Sequence, residues 1–111
     1  MRRLKIGFNA RVLANGAVRG WTRYTSNLLR SLSAIDDLEL VLFCREPLHA
    51  SHLDGVRARV VPLVAARESL WEEWRLPQAL RAEGIDVFHA PADRGLPLRK
   101  PCPFVLTLHN S

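Results

Sequence analysis

Two stretches of the chain, Leu38-Glu-Leu-Val-Leu-Phe-Cys44 and Phe104-Val-Leu-Thr-Leu108, are nearly unbroken apolar runs. A strand with one wet face alternates apolar and polar side chains, so runs of this kind belong to strands covered on both faces. That constraint favours a parallel sheet with helices packed on either side. Three more strand candidates, Leu4 to Phe8, Arg57 to Leu63 and Ile85 to His89, are separated from these and from each other by helical or loop segments. The alternation predicts an α/β fold, a three-layer domain around a parallel sheet of about five strands. With 111 residues and 48% hydrophobic content, the chain can bury one such core and no more.

The first strand candidate, Leu4-Lys-Ile-Gly-Phe8, feeds a loop carrying Gly16 and Gly20, and a helix opens just after the second glycine. Apolar residues then fall at Trp21, Tyr24, Leu28, Leu32 and Ile35, while Arg23, Asn27 and Arg30 take the other side. This is the spacing of one helix face, which predicts that the tryptophan-to-isoleucine stripe packs on the sheet. The helix N-terminus carries free N–H groups and a partial positive charge, suited to a phosphate or a sugar hydroxyl, and Arg19 adds a full charge beside it.

Further along, Arg45 to His52 reads as a turn leading into a short helix at most, and Asp54-Gly55 as a turn before the third strand. His49 and His52 sit three apart, with no Cys, Asp or Glu in a supporting pattern, so no metal site is expected. Ser69-Leu-Trp-Glu72 reads as a capping box opening a second helix, whose Trp71 and Trp74 are expected to share its packed face. Pro77 predicts a break or kink near Leu76, with a second helical piece through Leu80, and Gly84 ends the segment. Pro91 to Pro103, with four prolines, reads as a rigid loop able to shape a pocket rim.

The formal net charge of +5 comes mostly from arginines spread along the whole sequence. No aromatic-interleaved basic motif accompanies them, so a solvated surface is expected and nucleic acid is not a partner. Cys44 and Cys102 have neither a framework pattern nor a metal-ligand spacing and read as free thiols. The longest uncharged apolar run, Val60 to Ala66, is too short to span a bilayer, and the N-terminal residues form no leader core, which points to a cytoplasmic protein.

If strands two and three run outward on one side of strand one, and strand four returns to the other side, the switch point lies between strands one and four. Open α/β sheets take ligands there, beyond the carboxyl ends of the strands. Asn9-Ala-Arg11, His89 and His109-Asn110 follow strands one, four and five, and the Gly16 to Gly20 loop lies beside them. Singly, each has a plain structural use: Asn9 in a turn, Arg11 on a surface carboxylate, the histidines in strand-end hydrogen bonds. As a set they form a candidate ligand site. The chain has no phosphate-binding Gly-x-x-x-x-Gly-Lys-Ser/Thr loop, no Gly-x-Gly-x-x-Gly after strand one and no nucleophile elbow.

Five segments in order, Lys5-Ile-Gly-Phe-Asn-Ala-Arg-Val-Leu13, Arg19-Gly-Trp-Thr-Arg-Tyr-Thr-Ser-Asn-Leu-Leu29, Trp71-Glu-Glu-Trp-Arg-Leu-Pro77, Asp86-Val-Phe-His-Ala-Pro91 and Leu106-Thr-Leu-His-Asn110, together resemble the N-terminal, acceptor-side domain of family 4 retaining glycosyltransferases of the GT-B fold. The resemblance implies a partial GT-B N-terminal Rossmann-like domain over residues 1–111, with the donor-binding C-terminal domain absent from this stretch. It implies transfer of a sugar from a nucleotide-sugar donor to a glycan or lipid-linked acceptor with retention of configuration, and no metal or other cofactor. The match places Gly20 near the donor phosphates, His109 near the transferred sugar as the catalytic candidate, and His89 in the same cleft. Asn9, Arg11, Arg19 and Asn110 join Gly20 and His89 as ligand-binding candidates. A complementary donor-binding domain and peripheral contact with the inner membrane face are the further partners it implies.

Family members commonly carry Asp where this chain has Asn9 and Asn110. An amide keeps the hydrogen bonding of a carboxylate and gives up its charge, which weakens acid or base work at both positions. The sequence ends at the tip of a buried-type strand, where a loop and another helix are expected to follow. Half a cleft cannot enclose a donor, so these residues alone are expected to be a truncated, inactive glycosyltransferase. The alternative is a Rossmann-like binding or interaction module without catalysis.

Overall fold

The computed structural model of the protein describes residues 3–14, 20–90 and 101–106. Five strands, β1 (Leu4–Asn9), β2 (Leu38–Cys44), β3 (Arg59–Pro62), β4 (Val87–Ala90) and β5 (Phe104–Leu106), form one sheet in the order β3-β2-β1-β4-β5. Every pairing is parallel, and the register sets Phe8 opposite Leu42 on one side and His89 on the other. The order reverses at β1, so the switch point lies between β1 and β4, the arrangement supposed in placing the candidate site.

Helices cover both faces, giving a Rossmann-like α/β arrangement. On one side α1 (Gly20–Ser33) packs over a core of Phe8, Ala10, Leu13, Leu29, Leu40 and Leu42. On the other lie α2 (Glu68–Leu70), a π-helical turn (Trp71–Arg75) and α3 (Leu76–Ala82), with Val41, Phe43, Trp71, Leu76, Leu80 and Phe88 buried among them. Leu40 and Leu42 belong to the first core and Val41 and Phe43 to the second, so the unbroken apolar run of β2 serves two hydrophobic layers at once.

The strand ends shift from their predicted places for identifiable reasons. The Arg57 N–H donates to Ser33 Oγ at 2.8 Å and not to β2, which delays β3 to Arg59. Gly84 at φ +67° closes α3 in a Schellman motif, its N–H on the Arg81 carbonyl at 3.1 Å and the Ile85 N–H on the Leu80 carbonyl at 3.0 Å. Ile85 is thereby spent on the cap, and β4 begins at Val87.

Three helix expectations are corrected. The buried face of α1 carries Thr22, Thr25, Ser26 and Leu29, whereas Tyr24, Leu28 and Leu32 are only half-buried and Ile35 is 47% exposed. Small hydroxyl side chains let the helix lie close to the sheet, and the larger apolar ones flank the contact. Secondly, α2 starts at Glu68 with the Trp71 N–H on the Arg67 carbonyl at 3.1 Å, so Ser69 sits inside the helix and not at its cap. Thirdly, the interruption expected near Leu76 is a change of helix type and not a break, and the second piece, α3, begins there. The Leu76 N–H reaches back five residues to the Trp71 carbonyl, and this wider turn leads into Pro77 in the first turn of α3, where a missing N–H costs little. A π turn also spreads residues three apart further around the axis than an α turn does. Trp71 is fully buried while Trp74 stands 57% exposed, so the two tryptophans do not share a face.

Gly7 lies at a tightly packed position of β1: a Cβ added there would meet Phe43 Cε2 at 3.0 Å and Ile85 Cγ2 at 3.1 Å, both in the core. Gly7→Ala is expected to destabilise the fold by about 1–3 kcal/mol through overpacking, as read by urea denaturation, and a variant as stable as the parent would show that the core there yields.

Candidate functional site

The carboxyl ends of β1 and β4 carry the site. β1 runs straight into a 3-10 turn (Arg11–Leu13), anchored where the Ala10 N–H donates to the Phe43 carbonyl at 2.9 Å. Asn9, 8% exposed, turns its Oδ1 to accept the Arg11 N–H at 3.3 Å, so its side chain holds the turn. The Arg11 guanidinium lies 5.3 Å from the Trp71 ring centroid, with Nη1 3.7 Å from Glu72 Oε1 and Nε 3.9 Å from Glu46 Oε2. At 22% side-chain exposure for Arg11 and 19% for Glu72, this pair is shielded enough to be more than a surface contact. The indole N–H of Trp71 donates to the Cys44 carbonyl at 3.2 Å, which ties the π turn to the end of β2.

His89 occupies the other side of the same edge. It is 8% exposed, with its ring centroid 4.9 Å from that of Phe8, on the sheet face that α1 covers. Burial disfavours the imidazolium and pushes its pKa below the ordinary 6.5, so the ring is neutral at pH 7 and offers one donor and one acceptor nitrogen. α1 opens at Gly20 on that face and adds the buried hydroxyls of Thr22, Thr25 and Ser26. Among the described residues Thr25 Oγ1 and Ser26 Oγ find no hydrogen-bond partner.

The structure therefore divides the predicted residues. Asn9 and Arg11 gather with Trp71 and Glu72 on the α2 side, and His89 lies with Phe8 on the α1 side. Arg19, His109 and Asn110 lie outside the described residues, as does the Pro91 to Pro103 loop up to residue 100. Sequence reasoning missed Glu46 and Glu72, which reach Arg11 from 35 and 61 positions away and leave no local signal. It also missed the hydroxyl face of α1, whose signal was present as Thr22, Thr25, Ser26 and Leu29 at spacings of three and four.

The remaining polar candidates have structural roles. His49 caps a 3-10 turn (Ala50–Leu53), its Nδ1 2.7 Å from Ser51 Oγ and its ring centroid 5.5 Å from that of His52. Among the described residues no three His, Cys, Asp or Glu side chains gather as metal ligands. Both cysteines are free thiols, and burial raises the pKa of each. Among the described residues no helix is long and apolar enough to cross a membrane.

Two outcomes follow. Because the folded chain resists a proton that the unfolded chain accepts, the His89 contribution is complete above pH 6.5 and is lost as pH falls below that value. His89→Gln is expected to flatten the decline in unfolding free energy between pH 6.5 and about 5 relative to the parent, and an unchanged slope would remove His89 from the acid response. Thr25→Val, which deletes a buried hydroxyl with no hydrogen-bond partner among the described residues, is expected to stabilise the isolated chain by about 1 kcal/mol in thermal or urea unfolding. A loss of stability would show that the hydroxyl has a structural role.

No protein-family model, no curated protein and no solved structure matches the chain.

Proposed function

We propose that the chain is the N-terminal, acceptor-side part of a retaining family 4 glycosyltransferase, which takes a nucleotide-sugar donor and a glycan or lipid-linked acceptor in a cleft completed by a separate donor-binding domain. The observation that carries this reading is the placement of Asn9 and Arg11 after β1 and of His89 on β4, on the two faces of one carboxyl edge where the strand order reverses. Such an edge is where an open α/β sheet receives a ligand. The α1 side supplies uncharged partners suited to sugar hydroxyls: a neutral His89, the hydroxyls of Thr25 and Ser26, and the opening of α1 at Gly20. On the α2 side Arg11 already lies beside two carboxylates, so it is poorly placed to neutralise a leaving diphosphate by itself. That task falls to the donor-binding domain, and with it turnover.

A second reading, a Rossmann-like binding or interaction module without catalysis, draws support from a specific feature. The side chains of Asn9 and Arg11 both have structural employment, one in its own turn and the other on Glu46 and Glu72. Titration of the isotope-labelled chain with a panel of nucleotide sugars and oligosaccharides separates the readings through its backbone amide shifts. The transferase reading expects weak binding, with perturbed amides confined to Asn9–Ala14, Gly20–Thr25 and His89–Ala90, and no sugar transfer until a donor-binding domain is added. No response at those amides to any sugar ligand would leave the binding module as the better account.

A further inference from the structure

β3 is the last strand on its side of the sheet, so among the described residues one side of its backbone meets no other strand. The Leu63 N–H donates to the Cys44 carbonyl at 2.8 Å. In a parallel ladder alternate residues turn to the same neighbour, so Val61 faces β2 as Leu63 does, and Val60 turns its N–H and C=O to the open side. Pro62 turns the same way as Val60 and has only a carbonyl to offer. An edge of this kind is a template for another extended segment.

A groove runs beside that edge. A cavity of about 230 Å³ lies between β3 and α3, with Val61, Leu63, Ala79 and Ala82 as its apolar walls. It is smaller than the roughly 300–1,000 Å³ that encloses a small-molecule ligand and suits one or two side chains of a peptide. The two alanines leave the groove open where longer side chains would fill it. At one end Glu83 is already paired with Arg59 of β3. Arg75 lines the groove about two helical turns before Glu83; it is exposed, and among the described residues it has no ion pair. The groove therefore has one uncompensated charge, and it is positive. An unpaired strand edge, an apolar slot beside it and a cation at one end together fit a peptide that adds as a strand. A second copy of the chain is a poorer occupant, because it brings another Pro62 to the ladder and its own charge of +5.

We propose that the β3 edge and its groove bind an extended, acidic segment of a partner protein. The segment pairs with Val60 parallel to β3, sets alternate apolar side chains against Ala79 and Ala82, and places a carboxylate beside Arg75. The inference does not rest on the transferase reading. Its assay contains no sugar, so either can fail alone.

The test titrates the isotope-labelled chain with the peptide acetyl-Thr-Val-Thr-Leu-Thr-Glu-amide, whose valine, leucine and glutamate fall on one face of a strand. Saturable shifts are expected at the amides of Val60, Val61, Leu63, Ala79 and Ala82. Arg75→Glu is expected to weaken binding by about fivefold or more, and a peptide with lysine in place of glutamate to restore it. Arg67→Glu makes the same charge change on an exposed residue outside the groove and is expected to leave binding nearly unchanged. Ala82→Tyr, which fills the slot from an exposed position, and N-methylation of the peptide leucine, which removes an N–H from the ladder, are each expected to abolish the shifts. An unchanged circular dichroism melt verifies that the variants fold. Absence of shifts at these amides with millimolar peptide overturns the proposal, as does binding that neither Arg75→Glu nor Ala82→Tyr weakens. Dependence of the same amides on protein concentration without peptide, together with a dimer in sedimentation equilibrium, overturns it in favour of a second copy of the chain at this edge.

Discussion

The placement of Trp71 is the constraint on which the carboxyl edge depends. Its ring is wholly buried, its N–H has a carbonyl acceptor at the end of β2, and its face carries the Arg11 guanidinium from the turn after β1. One side chain thus joins three segments distant in sequence, and each contact limits where the others can go. A buried indole with an unsatisfied N–H would be costly, so the Cys44 carbonyl fixes how deep the ring sits. Arg11 then lies across the ring and meets Glu72, the next residue of the same π turn.

The π turn resolves a conflict written in the sequence. Pro77 has no N–H for the carbonyl four residues back, and its ring crowds that carbonyl. The usual escape is to end the helix. Here the hydrogen bonding widens beforehand, with the Leu76 N–H reaching the Trp71 carbonyl, and α3 resumes with Pro77 in its first turn. The widening also alters which residues share a face. An α-helical reading puts Trp71 and Trp74 together; the structure buries one and exposes the other.

The parallel pairing was legible because runs buried on both sides leave an unmistakable composition, whereas the strand order depends on which way each crossover turns and leaves no residue spacing to read. The inner face of α1 was not, because periodicity scored by hydrophobicity favours Tyr24 and Leu28 over Thr22 and Thr25, whereas close helix–sheet packing selects small side chains. Ser69 failed as a cap because its motif fits a helix that starts at Leu70, two residues after the start that forms. Of the site, Asn9 and His89 could be found from the strand ends. Their environments could not, since Glu46, Glu72 and Phe8 meet them only through tertiary structure.

The division of the edge bears on what kind of chemistry this chain can supply. On the α1 side a neutral imidazole and uncharged hydroxyls can orient a ligand by hydrogen bonds, with little charge to offer. On the α2 side the guanidinium of Arg11 is balanced by Glu72 and Glu46 before any ligand arrives. Displacing those carboxylates would cost part of what a new ion pair gains, so Arg11 serves better as a fixed wall than as a phosphate clamp. The chain's positive surplus is carried instead by exposed arginines such as Arg67, Arg75 and Arg81, along the outer face of the helical segment. The polar groups of the edge and the surplus charge of the surface therefore lie on separate parts of the chain. The first can be altered through His89 or Thr25 without changing the charge of the second.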